Sequence, residues 1–277
     1  MESPTPTTNR RPTLAQRIKQ FFAPILVALA ALGSKIGLLL KVGLPLLKMG
    51  GSMLFMIWVY ARFYGWQFAV GFVVLIFINE MGHLIAARFM GLPVSLPLFI
   101  PFMGASILMR AMPRNAWMEA VVGIGGPLLG SLGAMAMFSL YFYTGNQIFL
   151  VLGYFGFLIN LFNLIPIIPL DGGRIVSAIS PWLWIIGVCI LIPYLIYRAM
   201  SGNVIAIAFA VFVCFIVYRN SYRIVALFRG QRDPAHDRYF ECTPVQRWTM
   251  GILYFGLAIV LWLGMGFIKN LMPPGSL

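Results

Sequence analysis

Residues 163–174, with the sequence NLIPIIPLDGGR, decide which fold this chain can adopt. Pro166 and Pro169 oppose a continuing helix, because proline has no backbone N–H and its ring clashes with the preceding turn. The two glycines after Asp171 allow the backbone to turn sharply beside that carboxylate. We therefore expect an apolar helix to end at these prolines and Asp171 to point into the protein.

The composition around this stretch is that of a membrane protein. The chain has 277 residues, of which 61% are hydrophobic and 10% charged, whereas an average soluble chain has about 45–50% apolar and about 25% charged residues. A disordered chain, a collagen and a disulfide-stapled secreted module are excluded. A spanning helix needs about 20 mostly apolar residues. The apolar runs predict spans at residues 52–64, 66–90, 116–143, 148–168, 182–198, 203–218 and 248–268.

The basic residues indicate topology rather than a nucleic-acid partner. The chain has 20 Lys and Arg residues against 7 Asp and Glu, but they lie mostly between apolar runs, where the positive-inside rule explains them. If residues 1–50 face the cytoplasm, all Lys and Arg residues fall on the cytoplasmic side except Arg62, Arg198 and Lys269. We therefore predict a cytoplasmic N-terminus and no binding of nucleic acid.

The polar segments divide the chain into regions. Residues 1–20 are predicted to form a basic cytoplasmic tail. In residues 21–48 a lysine recurs every six or seven positions towards the end of an apolar stretch, which is costly at the bilayer centre but suits an amphipathic segment in the membrane interface. The other regions are a membrane core at 49–200, a span at 201–218, a basic cytoplasmic loop at 219–247, a C-terminal span at 248–268 and a tail at 269–277.

The segment between the second and third predicted spans should not be helical. Residues 91–115 contain four prolines, which oppose a helix, and the apolar residues among them suit an extended edge strand or a re-entrant loop. Irregular backbone at membrane depth persists only where protein or a water-filled cavity covers it. We predict a short extended or re-entrant segment that lies against the helices.

Three of the seven acidic residues lie in or beside predicted spans, namely Glu80, Glu119 and Asp171. A carboxylate at membrane depth is costly, so it usually faces a partner, a cavity or a metal. Glu119 begins the third span, where the helix dipole or an ion pair with Arg114 would explain it, and we exclude it from the site. Asp171 could also cap a short helix beginning near Gly172, which is compatible with a second role.

Residues 77–87, with the sequence FINEMGHLIAA, carry a second pattern. On a helix, Asn79 and His83 share one face and Glu80 lies beside them. The spacing resembles H-E-x-x-H, in which two imidazoles bind zinc and the glutamate is the general base. Here Asn79 takes the place of the first histidine, and an amide oxygen is a neutral and weaker zinc donor than an imidazole nitrogen. Taken alone, His83 would be interpreted as a helix histidine paired with a neighbour.

Together these patterns resemble the site-2 protease family of intramembrane zinc metalloproteases. Residues 163–174 look like the family's N-x-x-P-x-x-P-L-D-G signature, and Gly126-Pro127, which we expect to break the third span, looks like its central G-P motif. The resemblance covers residues 50–200. It implies an all-α polytopic membrane protein, a site-2-protease-type helical bundle with the extended or re-entrant segment after the metal-motif helix, and a membrane protease core at 49–200.

The resemblance also implies a role for each matching residue. His83 and Asp171 correspond to zinc ligands, and Glu80 corresponds to the catalytic base. Asn79 stands at the position of the substituted ligand. The positions that correspond to substrate-binding residues are Asn163, Gly126 and Pro127.

The implied activity is hydrolysis of a peptide bond in or near a transmembrane segment of a membrane-protein substrate, with zinc as the cofactor. The implied partners are that segment and the lipid bilayer. The extended segment near residues 99–108 would offer an edge against which an unwound substrate pairs. The lysine-containing leader is similar to that of a subgroup of bacterial members, which implies a multi-pass protein of the bacterial inner membrane.

Asn79 is the departure from the family pattern. Catalytic zinc sites normally have three protein ligands and a water, and here only His83 and Asp171 are strong donors. We therefore expect reduced zinc affinity and impaired hydrolysis. One alternative is a non-catalytic pseudoprotease that binds and regulates transmembrane helices. A more distant alternative is a proton-coupled transporter that uses Glu80, His83 and Asp171 as a relay, although the sequence shows no paired inverted repeats.

Overall fold

The computed structural model describes residues 39–102, 104–107, 112–180, 182–200 and 238–273, together with residues 207, 210–211, 213–215 and 218. The predicted tail at 1–20 lies outside the described residues. So do most of the interfacial segment at 21–48, of the span at 201–218 and of the loop at 219–247. Those four assignments stay predictions.

The chain divides into two compact units, Met1–Gly50 and Gly51–Leu277. The described part of the first unit comprises a π-helical turn, Leu39–Gly43, and the first residues of helix α1, Leu44–Tyr64. α1 therefore begins before the predicted first span at 52–64, because two adjacent glycines at positions 50 and 51 weaken a helix without ending it. The functional features described below all belong to the second unit.

The remaining described helices are α2 (Trp66–Phe89), α3 (Ala116–Thr144), α4 (Gln147–Asn163), α5 (Asp171–Ile179), α6 (Trp182–Met200) and α7 (Pro244–Leu271). By length and composition, four described helical stretches could cross a membrane, namely Leu40–Tyr64, α2, α3 and α7. α4 and most of α6 are shorter apolar helices. The prediction of an all-α polytopic membrane protein is confirmed.

The end of α4 differs from the prediction. The fourth span was expected at 148–168, but the helix ends at Asn163 and turns lead from there to α5. Pro166 cannot continue the helix and also restricts the residue before it. The apolar residues Leu164 and Ile167 extend the hydrophobic run without extending the helix, since they are buried against the protein.

A β-hairpin follows α2, where the sequence predicted a short extended or re-entrant segment. Strand β1 (Leu98–Ile100) pairs antiparallel with β2 (Gly104–Ser106), with Phe99 opposite Ala105. The hairpin is attached to α1, because the backbone N–H of Phe99 donates to Ser52 Oγ at 3.1 Å and that of Phe102 to the Tyr60 hydroxyl at 3.1 Å. The extended segment is therefore held against a helix.

Small residues bring α2 and α3 together. A side-chain carbon added at Gly82 would lie 2.9 Å from the Cα atom of Gly126, so only glycine allows this approach. Pro127 lies buried inside α3, and the predicted break of the third span is wrong. Spanning helices tolerate proline more readily than soluble helices do. The Ser131 hydroxyl donates to the Pro127 carbonyl one turn later.

α7 contacts both ends of the segment that carries Asp171. The Tyr254 hydroxyl donates to the Leu164 carbonyl at 2.5 Å, before α5 begins. Arg247 donates to the carbonyl of Ile179, the last residue of α5, at 2.9 Å. A capping box of Thr243 and Gln246 begins α7 at Pro244, four residues before the predicted span. The C-terminal helix thus helps to fix the position of α5.

Candidate metal centre

α2 places Asn79, Glu80 and His83 in the protein interior. They are 5%, 8% and 7% exposed, respectively. Polar side chains buried this deeply in an apolar helix need partners or a polar cavity, because burial without hydrogen bonds is costly. The predicted motif therefore faces the interior of the bundle and not the lipid.

His83 joins three helices. Its Nδ1 atom donates to the Val122 carbonyl of α3 at 2.8 Å, and its Nε2 atom lies 3.1 Å from Asp171 Oδ2 of α5. A carbonyl can only accept, so the ring proton is on Nδ1. Nε2 therefore faces the carboxylate, and these two acceptors need a proton or a metal cation between them. A backbone carbonyl on the other ring nitrogen is the usual support of a metal-binding histidine.

The spacing of His83 and Asp171 fits two corners of a zinc site. Zinc binds imidazole nitrogen and carboxylate oxygen at about 2.0–2.2 Å, which puts two tetrahedral donors roughly 3.4 Å apart. The separation of Nε2 and Oδ2 is 3.1 Å. Both side chains are largely buried, so water competes weakly for them.

Asn79 is where the arrangement lacks a strong donor. Its Oδ1 atom is buried and has no hydrogen-bond partner in the described part of the chain. An amide oxygen can accept a cation as a neutral donor, but it is a poorer zinc ligand than an imidazole. Among the described residues, no three His, Cys, Asp or Glu side chains are placed to hold a metal ion. His83 and Asp171 are therefore the two strong donors that the structure brings together, and Asn79, on the same helix as His83, is a weak third candidate.

A polar cavity of about 150 Å³ adjoins these groups. The residues that line it include Glu80, His83, Asp171, Arg174, Ala105 and Ser106. The cavity is large enough for several water molecules. The hairpin strand β2 therefore forms part of the wall that contains the two carboxylates and the imidazole.

Asp171 is the first residue of α5 and not its cap. The N-cap position is Leu170, which makes no side-chain capping bond. A carboxylate in the first turn interacts favourably with the helix dipole. A side-chain carbon at Gly173 would overlap the backbone of Ile167, so glycine lets the helix start against the preceding turns. The two glycines, which were predicted to allow a sharp turn, are instead helical residues of α5, and the turns lie before Asp171.

The predicted substrate-binding residues occupy different positions. A side-chain carbon at Gly126 would overlap the His83 imidazole, so this glycine makes room for the ring. Pro127 is buried within α3. Asn163 ends α4, is half-buried, and is not among the described residues that line the cavity. Their roles in substrate binding stay predictions.

Glu119 has partners that the sequence analysis did not identify. Its Oε1 atom lies 3.8 Å from Arg174 Nε, and its Oε2 atom accepts a hydrogen bond from the Tyr239 hydroxyl at 2.5 Å. The expected ion pair with Arg114 is thus replaced by one with Arg174, which lines the cavity. Glu119 itself is not among the described residues that line the cavity, and its exclusion from the site stays a prediction. The signal in the sequence was the position of Arg174, three residues after Asp171 on a helix.

The sequence analysis also did not identify Asn160, a buried polar residue of α4. Its Nδ2 group donates to the Gly156 carbonyl at 2.7 Å, while its buried Oδ1 atom lacks a partner in the part of the chain that the structure describes. A side-chain carbon at Gly130 would overlap this amide, so α4 lies close to α3 here. The available signal was an amide in the middle of an apolar helix.

The chain has a distant relative among curated proteins. No family model matches it. A zinc metalloprotease of Methanocaldococcus jannaschii is 28% identical over an alignment of 165 positions, which covers 53% of this chain and 48% of that protein. The chain spans about half the length of this relative. The likeness supports a metalloprotease, in agreement with the buried His83 and Asp171 pair.

Proposed function

We propose that this chain is an intramembrane metalloprotease of the site-2 type, which hydrolyses a peptide bond in or near a transmembrane segment of a membrane protein. We further propose that Asn79 impairs its zinc binding and its catalysis. The observation that carries the proposal is the contact of 3.1 Å between His83 Nε2 and Asp171 Oδ2, with Nδ1 donating to Val122. This arrangement brings together a nitrogen and an oxygen that would both hold a divalent cation.

Glu80 has the position of a general base. It is buried, belongs to the same helix as His83, and lines the cavity with His83 and Asp171. From there its carboxylate can take a proton from a water in the cavity and deliver it to the leaving amine. When zinc is bound, it polarises the substrate carbonyl and lowers the pKa of water.

The hairpin is the proposed binding surface for substrate. An extended peptide can add to the edge of a sheet through main-chain hydrogen bonds. Ala105 and Ser106 of β2 line the cavity that contains Glu80, so a peptide paired near this strand would pass close to the carboxylate. The lipid bilayer, the cytoplasmic N-terminus and the bacterial inner membrane are part of the same proposal.

Metal analysis of the purified protein beside its Asn79→His variant tests this function. The added imidazole supplies the third strong donor, so zinc per chain should rise towards one. Cleavage of a transmembrane test substrate should rise at least 10-fold. Even changes to residues that only support metal ligands alter affinity or activity by about 10 to 100-fold. Asn79→Ala is the matched control and should bind no more zinc than the parent. Asn79→His combined with Glu80→Gln should keep the zinc and lose the cleavage.

A folded Asn79→His variant with unchanged zinc content and no cleavage would reject the proposal. Asn79 itself favours a second candidate, the pseudoprotease, because the hairpin and the cavity do not depend on a metal. In that case a photo-crosslinker on a transmembrane test helix should label the chain equally in the parent, in Glu80→Gln and in the presence of a chelator. Loss of labelling with the chelator would exclude it.

A further inference from the structure

Glu119, Arg174 and Tyr239 form a polar cluster next to the candidate metal centre, which we name the Glu119 cluster. Arg174 Nε lies 3.8 Å from Glu119 Oε1, and the Tyr239 hydroxyl donates to Glu119 Oε2 at 2.5 Å. The side chains of Arg174 and Glu119 are 20% and 25% exposed. The cluster joins α3, α5 and the segment before α7, three parts of the chain that are distant in sequence.

The backbone explains how Arg174 reaches Glu119. A side-chain carbon at Gly123 would lie 3.3 Å from Arg174 Cβ, so α5 approaches α3 closely at this glycine. Glu119 precedes Gly123 by four residues and therefore lies on the same face of α3. The Arg174 side chain extends along that face to the first turn of α3, where the helix dipole also favours the Glu119 carboxylate.

Arg174 has other carboxylates in its surroundings. It follows Asp171 by three residues on α5, a spacing at which Asp and Arg side chains pair readily. It also lines the cavity together with Glu80 and Asp171. Arginine binds carboxylates strongly, often through two parallel hydrogen bonds. A guanidinium on Asp171 would occupy the oxygen that faces His83 and would repel a divalent cation.

We propose that Glu119 and Tyr239 are positioning residues that hold the Arg174 guanidinium away from Asp171, so that Asp171 remains accessible to a divalent cation. The inference rests on the proposed function, since it concerns the same centre. Glu119 supplies the competing negative charge. Tyr239 fixes the orientation of the Glu119 carboxylate by donating to the oxygen that does not face Arg174.

The affinity for Co²⁺, measured by titration of the absorption bands of the bound ion, tests the inference in the Asn79→His background. Adding Glu119→Gln should weaken Co²⁺ binding at least 10-fold, because Arg174 then turns to Asp171. Adding Arg174→Gln to that variant should restore the affinity. Tyr239→Phe should weaken binding in the same direction but less. Arg114→Gln, which removes an exposed arginine near the start of α3, is the matched control and should have no effect.

A merely structural role would give a different result. If Glu119 only supported the fold, Arg174→Gln would not rescue the affinity of Glu119→Gln. Unchanged affinity in Glu119→Gln, or failure of the rescue, would overturn the inference.

A second arm does not depend on metal. Glu119→Gln, Arg174→Gln and the double variant are each made in the parent chain, and their melting temperatures are compared in detergent. Because each single change leaves one partner without its counter-charge, the double variant should melt no lower than Glu119→Gln. Additive losses would overturn the inference. If Asn79→His binds no metal, the proposed function fails, and this comparison still decides whether Glu119 holds Arg174.

Discussion

The imidazole of His83 and the carboxylate of Asp171 lie 3.1 Å apart although 88 positions of the chain separate the two residues. They belong to α2 and α5, and the Val122 carbonyl of α3 accepts a hydrogen bond from the other ring nitrogen, Nδ1, at 2.8 Å. The contact therefore depends on the packing of three helices. It follows that changes in this packing should affect the centre as strongly as changes in the donors.

The first prediction concerns the pair itself. Asp171→Asn should keep the parent's stability within about 1 kcal/mol, because without the carboxylate no proton or cation is needed between the two groups and the amide can donate to Nε2. Asp171→Ala leaves a buried nitrogen without a partner and should lower the free energy of unfolding by about 1–3 kcal/mol. Thermal unfolding in detergent compares the two variants. Equal losses in both would contradict the geometry described for His83.

The second prediction concerns the space beside His83. Gly126→Ala places a carbon where the imidazole lies, and such overpacking costs about 1–3 kcal/mol. In the Asn79→His background, this change should lower both the melting temperature and the zinc content. Gly256→Ala is the control, since nothing lies within 4 Å of a carbon added there. Unchanged zinc content in Gly126→Ala would show that the His83 imidazole can move into other space and still bind zinc.

The third prediction uses metal as a stabilising ligand. A ligand that binds only the folded state at 100 times its dissociation constant adds about 2.7 kcal/mol of stability. Zinc should therefore raise the melting temperature of Asn79→His, and a chelator should reverse the rise. The parent should show little change over the same zinc concentrations. An equal rise in both proteins would mean that Asn79 does not limit zinc binding.

The fourth prediction concerns the anchor of α5. Arg247 donates to the carbonyls of Ile179 at 2.9 Å, Phe240 at 3.1 Å and Cys242 at 3.3 Å. Lysine cannot reproduce this planar fork, so Arg247→Lys should lower the free energy of unfolding by about 1–3 kcal/mol. Arg62→Lys on the exposed surface of α1 is the control. Stability equal to that of the control would contradict the anchor.

Much of the fold could be predicted because the signals are local. Apolar runs of sufficient length predicted the membrane helices, and the prolines between residues 91 and 115 predicted a non-helical, extended segment, which the structure shows as the hairpin of Leu98–Ile100 and Gly104–Ser106. The end of α4 could not be placed in this way. Hydrophobicity continues past Asn163, while the helix does not, because buried turns are as apolar as a buried helix.

The surroundings of the candidate site required the tertiary structure. The choice of Arg174 rather than Arg114 as partner of Glu119 depends on the close approach of α5 to α3 at Gly123. The role of Gly126 in making room for His83 depends on the packing of α2 against α3. Neither contact leaves a periodic signal along the chain.

The sequence by itself determined that this is a membrane protein and which side chains are the candidates for its chemistry, because apolar length, proline and intramembrane charge act on their own segment of the chain. Only the tertiary structure decided that His83 meets Asp171, that β2 lines the same cavity, and that Tyr239 reaches Glu119. The physical reason is that such contacts depend on how closely helices approach, which small residues on separate segments set together.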